Sequence, residues 1–291
     1  MTIAGVAGVG WGVRHRDLVP RNVVEILDES LDTLVRRPRE ILAAAAITAV
    51  PVGILTGMAT ARNAVGFGDA ISSLDPTSQS SLGFGDGGGV LTITAALVGS
   101  VLYGVTAWMA ATMVMAELRG LPWSVGGALK GALRNLWKIL GAWFMVHALE
   151  ALGFVGMGVG ALALMVMYTV TVPVMALEGL GPAAAMGRSW RLNRGSFWRM
   201  VGLQLALSLV IQALGVILDF VPLLVIDLLP GWAVVYFTVA TGALSALVET
   251  AVTAALPVLI YLDLRVRKEG LDLELELERR LAAPTPASPS R

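Results

Sequence analysis

GPAAAMGRSWRLNRGSFWRM, residues 181–200, decides how the chain is read. Arg188, Arg191, Arg194 and Arg199 are packed with Trp190 and Trp198 directly before an apolar run that begins at Val201. Guanidinium groups settle among lipid phosphates and indoles at the headgroup level, so the stretch reads as an interfacial segment leading into a membrane span. These six side chains are the candidates for reading a lipid headgroup, since guanidinium pairs bidentately with phosphate. The same residues would also serve as ordinary anchors for the helix that follows.

Two other stretches share this design. Asn22 to Arg37, NVVEILDESLDTLVRR, places Val23, Ile26, Leu27, Leu31, Leu34 and Val35 on one side of a helical period, which predicts an amphipathic helix in the membrane interface. Leu121 to Lys138, LPWSVGGALKGALRNLWK, is the second such segment. Each precedes an apolar run: LVRRPREILAAAAI (34–47), LRNLWKILGAWFMV (133–146) and LNRGSFWRMVGLQL (192–205) pass from a basic or aromatic approach into an apolar helix. The chain therefore reads as one unit used three times.

Lengths turn this pattern into spans. Ile41 to about Thr60 matches a hydrocarbon core of roughly 30 Å at about 1.5 Å per residue. Arg62 to Gly89 is rich in Gly, Ser and Asp and reads as a loop, and Val90 to Glu117 returns. Ile139 to Leu177 is too long for one crossing, so it folds back at the glycines of Gly153 to Gly160, with a kink at Pro173. Val201 to Leu218, a connection holding Asp219, Pro222, Asp227 and Pro230, and a return from about Trp232 to Leu262 complete the third unit.

The expectation is an all-α, polytopic membrane helix bundle: six transmembrane helices as three hairpins, each preceded by an interfacial amphipathic helix. It divides into an N-terminal cytoplasmic segment (1–18), the six-span domain (19–268) and an acidic, then disordered, cytoplasmic tail (269–291). Nearly every Lys and Arg from Arg14 to Lys268 falls on one side of this arrangement and only Arg62 on the other, which puts both termini in the cytoplasm.

Composition agrees and removes whole classes of chemistry. The 291 residues are 56% hydrophobic and 14% charged, far from a soluble domain. The absence of cysteine excludes disulfides, thiolate metal sites and a cysteine nucleophile. His15 and His147 are the only histidines, which leaves little imidazole for a metal centre, so no metal and no cofactor are expected. Gly83 to Gly89 lacks the preceding strand and following Lys of a phosphate loop. Nothing in the sequence points to nucleic acid, and the opening MTIAGVAGVGWGVRHR is not a signal peptide by pattern.

Glu150, Gln212 and Glu249 lie at similar depth in their spans, about 18 to 21 Å from the basic boundary. With His147, three residues before Glu150, they could form one intramembrane polar layer. Such a layer serves either as a proton or substrate relay or as interhelical polar glue. Leu271 to Glu278, LDLELELE, alternates strictly and reads as an extended strand able to join a partner's sheet edge, or as a solvated acidic tail against the basic face.

ILDESLDTLVRR (26–37), AMGRSWRLNRGSFWRMVG (185–202) and PVLIYLDLRVRKEGLDLELE (257–276) together resemble the membrane domain of some bacterial glycerophosphoryl diester phosphodiesterases, and of stand-alone actinobacterial membrane proteins related to it. The resemblance runs from about Val19 to Glu278. It implies a multi-pass protein of the bacterial plasma membrane. The phosphodiesterase activity of two-part members belongs to a separate soluble barrel with histidines and metal-binding carboxylates, so the resemblance implies the membrane module without the enzyme.

The leading functional expectation is a non-catalytic membrane module that scaffolds a membrane or cytoplasmic protein partner, or binds membrane lipids, at its basic face. The alternative is a small transporter or permease subunit using the polar layer. The density of Arg and Trp in the third unit predicts that neutralising Arg188 and Arg191 costs more lipid or partner retention than neutralising Lys130 and Arg134.

Overall fold

A computed structural model of the protein describes residues 38–62, 88–155 and 158–282, and among them the regular structure is helical with no strand. The expected amphipathic helix at Asn22 to Arg37, most of the Arg62 to Gly89 loop and the closing APTPASPSR lie outside the described residues. In chain order the helices are α1 (Pro38–Arg62), α2 (Gly88–Leu118), α3 (Val125–Arg134), α4 (Leu136–Val155), α5 (Val159–Tyr168), α6 (Thr171–Glu178), α7 (Pro182–Asn193), α8 (Phe197–Val225), α9 (Gly231–Thr253), α10 (Leu256–Glu269) and α11 (Leu271–Ala282).

Among the described residues, five segments are long and apolar enough to cross a membrane: Arg39–Ala59, Val90–Leu118, Gly160–Glu178, Phe197–Leu218 and Gly231–Glu269. Large apolar side chains such as Ile54, Val90, Phe154, Leu209, Val216 and Tyr236 face outward along the long helices. So continuous an apolar exterior suits hydrocarbon and not water.

Two of these segments are broken. The helix of Gly160–Glu178 stops at Tyr168 and restarts at Thr171, ahead of Pro173, and that of Gly231–Glu269 stops at Thr253 and restarts at Leu256, ahead of Pro257. Proline removes one backbone donor and clashes with the preceding turn, so the chain breaks just before it. The third unit also departs from the expected connection over 219–230, because α8 continues through Pro222 to Val225 before a short 3₁₀ turn, Ile226–Leu228.

Burial is most complete at one end. The second half of α2, from Val105 to Leu118, and α10, from Leu256 to Leu264, carry the two densest runs of buried core residues. Helix α10 lies against α2, α6 and α7, so its Tyr261, Ile260 and Leu262 are all enclosed. Elsewhere α1 and α9 approach so closely that a Cβ on Gly53 would sit 2.3 Å from the Ala243 Cα, and one on Gly57 2.4 Å from the Val239 Cα. Gly53-Ile-Leu-Thr-Gly57 is the small-xxx-small pattern by which apolar helices bring their backbones together. Hydrogen bonds between Thr106 and Thr48 (2.7 Å) and between Trp143 and Ser100 (2.8 Å) tie α2 to α1 and to α4.

The repeat has a structural counterpart. Helices α1, α4 and α8 begin at Pro38, Leu136 and Phe197. Three residues on from each start stand Ile41, Ile139 and Met200, and six on stand Ala44, Ala142 and Leu203, and all six side chains are buried in the core. The extended reading of LDLELELE is overturned: α11 is a helix that buries Leu271 and Leu275 and leaves Leu273, Leu277 and Leu281 exposed. Alternation at a spacing of two places leucines four residues apart on one helical face, and the core was available to take one such pair.

Candidate functional site

The end that holds the core also holds the charges. Pro182 opens α7 in the first-turn position where its missing N–H costs nothing, and the helix carries Arg188 against α6 and α10. The Arg188 Nε donates to both Glu178 oxygens at 3.0 and 3.2 Å, while its two terminal nitrogens grip Glu269 at 2.5 and 2.6 Å. Arg265 extends the lattice to Glu269 (2.9 Å) and Glu274 (2.8 Å) and donates to the Tyr261 hydroxyl at 3.3 Å. That hydroxyl in turn donates to Glu178 at 3.1 Å. Glu269, reinforced by Glu178, raises the Arg188 guanidinium above the ordinary arginine range.

A second cluster centres on Asp263, whose side chain is 2% exposed. Arg199 in the first turn of α8 meets it at 2.6 Å and Arg267 at 3.0 Å. Lys268 donates to the Leu192 and Arg194 carbonyls at 2.7 and 2.6 Å, which satisfies the open carbonyls at the end of α7.

The six headgroup candidates therefore divide. Arg188 and Arg199 are held by carboxylates, and a phosphate could reach them only by displacing partly buried ion pairs. Arg191 and Arg194 are exposed and make no ion pair with the described residues. Trp198 is 81% exposed, and Trp190, tilted against Tyr168, is partly so.

The polar layer also divides. His147 and Glu150 share a face of α4 at 4.0 Å, with His147 stacked on Trp143 and hydrogen-bonded to its carbonyl. Gln212 and Glu249 instead line a cavity of about 120 Å³ between α8 and α9, together with Ser245 and Gly215. Its lining comes from those two helices alone.

Sequence reasoning missed a polar cluster at the α5–α6 break. The Met167 carbonyl accepts from Ser189 (2.8 Å) and Asn193 (3.0 Å) of α7, and Gln204 of α8 donates to Thr169. Asn193 Oδ1 and Thr171 Oγ1 are buried without a hydrogen-bond partner. The readable signal was Thr169-Val-Thr-Val-Pro173, hydroxyls beside a helix-breaking proline. Asn193 also has a counterpart: its amide bonds the carbonyl four residues back, at Ser189, as the Asn135 amide does at Gly131. Both amphipathic helices thus end on the same device.

Among the described residues no group of three or more His, Asp or Glu side chains is placed to hold a metal ion. No protein-family model, curated protein or solved structure matches the chain.

Proposed function

We propose that this is a non-catalytic, six-span module of a bacterial plasma membrane that associates with lipid at its basic, cytoplasmic face and can present that face to a partner. The observation that carries the reading is a set of outward-facing cations and indoles where the apolar helices begin. Lys130 and Arg134 on α3, Arg191 and Arg194 on α7, and the exposed Trp137 and Trp198 at the starts of α4 and α8 belong to it. Cations near an anionic leaflet are worth about 1 kcal/mol each, and indoles prefer the same depth. The sixth span is α4, whose twenty residues cover about 30 Å and which packs on α5. The resemblance to the phosphodiesterase membrane domain fits a module of this kind.

Replacing Lys130, Arg134, Arg191 and Arg194 together by Gln tests the reading, with mass spectrometry of the lipids retained on the purified protein as readout. Loss of retained anionic lipid with neutral lipid unchanged is expected; an unaltered lipid complement contradicts it.

A second reading, a transporter or permease subunit, draws on the cavity that Gln212 and Glu249 share. Only these two of the four polar-layer residues line it, so Glu249→Gln would be its sensitive variant.

A further inference from the structure

The two described amphipathic helices can be superposed through Asn135 and Asn193, which end them alike. In that register Lys130 of α3 corresponds to Arg188 of α7, Gly131 to Ser189, Ala128 to Met186 and Gly127 to Ala185. On α7 these positions are closed: Ala185, Met186 and Ser189 are buried and Arg188 is held between Glu178 and Glu269. On α3 the corresponding face is open. Gly127, Ala128 and Gly131 line a groove of about 480 Å³ whose other wall is Met113, Pro122 and Trp123. Ser124 caps the helix from the groove's edge, accepting from the Gly127 N–H at 3.1 Å.

The charge is left open too. Lys130 and Arg134 are four residues apart, hence on one face of α3, and each lies within one turn of Gly127 or Gly131. Both are exposed and make no ion pair with the described residues. The groove also straddles a boundary: Thr112 and Met113 belong to the apolar segment Val90–Leu118, whereas Pro122 to Gly131 lie beyond it. Leu121, next in the chain to Pro122, is 55% exposed, and Trp137 stands outward at the start of α4. A site that is apolar on the bilayer side and cationic on the other fits an amphiphile, not a free anion.

We propose that this groove binds one anionic phospholipid of the cytoplasmic leaflet, with its phosphate between Lys130 and Arg134 and the upper part of an acyl chain against Met113 and Trp123. The inference rests on the lipid-associated reading above and moves the specific site from the third unit to the second. It reverses the order expected from Arg and Trp density.

The test is equilibrium binding of fluorescent short-chain phosphatidylglycerol to the detergent-solubilised full chain, with phosphatidylcholine and inorganic phosphate as competitors. Lys130→Gln with Arg134→Gln should weaken binding about twenty-five-fold, two surface cations at about fivefold each. Gly131→Leu should abolish saturable binding by filling the groove, since a Cβ there meets only the Trp108 indole nitrogen at 3.8 Å. Gly126→Leu, which adds the same side chain where a Cβ meets nothing within 4 Å, should bind as the parent does, and Arg191→Gln with Arg194→Gln should weaken binding far less than the α3 pair.

If the α3 variants bind normally and the α7 pair does not, the groove assignment is overturned and the lipid reading stands. If the parent chain does not distinguish phosphatidylglycerol from phosphatidylcholine, the lipid reading itself fails. Full competition by inorganic phosphate overturns the choice of a lipid as occupant.

Discussion

Arg188 and Arg191 stand one helical turn apart on α7 and do opposite things. Arg188 is the hub that joins α6, α7 and α10 through Glu178 and Glu269, whereas Arg191 points outward with no ion pair among the described residues. Removing one member of a partly buried pair leaves two carboxylates short of their donor, so Arg188→Gln should cost about 2 kcal/mol of stability. Arg191→Gln should stay within about 0.5 kcal/mol, as exposed positions do. Thermal unfolding in detergent separates the two; equal midpoints would mean the lattice contributes nothing. The run of arginines was legible in residues 181–200, but their division was not. Glu269 lies 81 residues from Arg188 and Asp263 lies 64 from Arg199, so which cations are neutralised is settled by tertiary packing.

At the scale of elements, periodicity read well where one face meets the core and poorly where two interpretations fit the same letters. The glycines of 153–160 announced the turn between α4 and α5, and proline announced the break before α6. LDLELELE misled because a spacing of two satisfies a strand and also leaves leucines four apart for a helix; the deciding factor was a place in the core for Leu271 and Leu275. Those two should each cost about 2 to 3 kcal/mol when cut to Ala, while Leu273→Ala should be near neutral. The measurement is the unfolding midpoint of the three single variants, and a strand-like or undocked segment would make all three equivalent. The α5–α6 polar cluster was harder to foresee, because Ser189 and Asn193 read as ordinary members of an interfacial helix until the break supplied a free carbonyl.

Over the whole molecule, the opening turns of α1, α4 and α8 bury matching positions, and Asn135 and Asn193 close α3 and α7 with the same hydrogen bond. Divergence between the copies is where function would enter. Arg188 and Arg265 fasten α7, α10 and α11 together, whereas α3 leaves its cations and a groove available. For α3 and α7 to share a face, α4 must cross the membrane. The chain has no cysteine, so single cysteines report cleanly on sidedness. With a membrane-impermeant maleimide on intact cells, Phe154→Cys, at the far end of α4, and Leu228→Cys should label at once, and Ser124→Cys and Leu281→Cys only after permeabilisation. Labelling of Leu228→Cys with protection of Phe154→Cys would contradict the six-span arrangement.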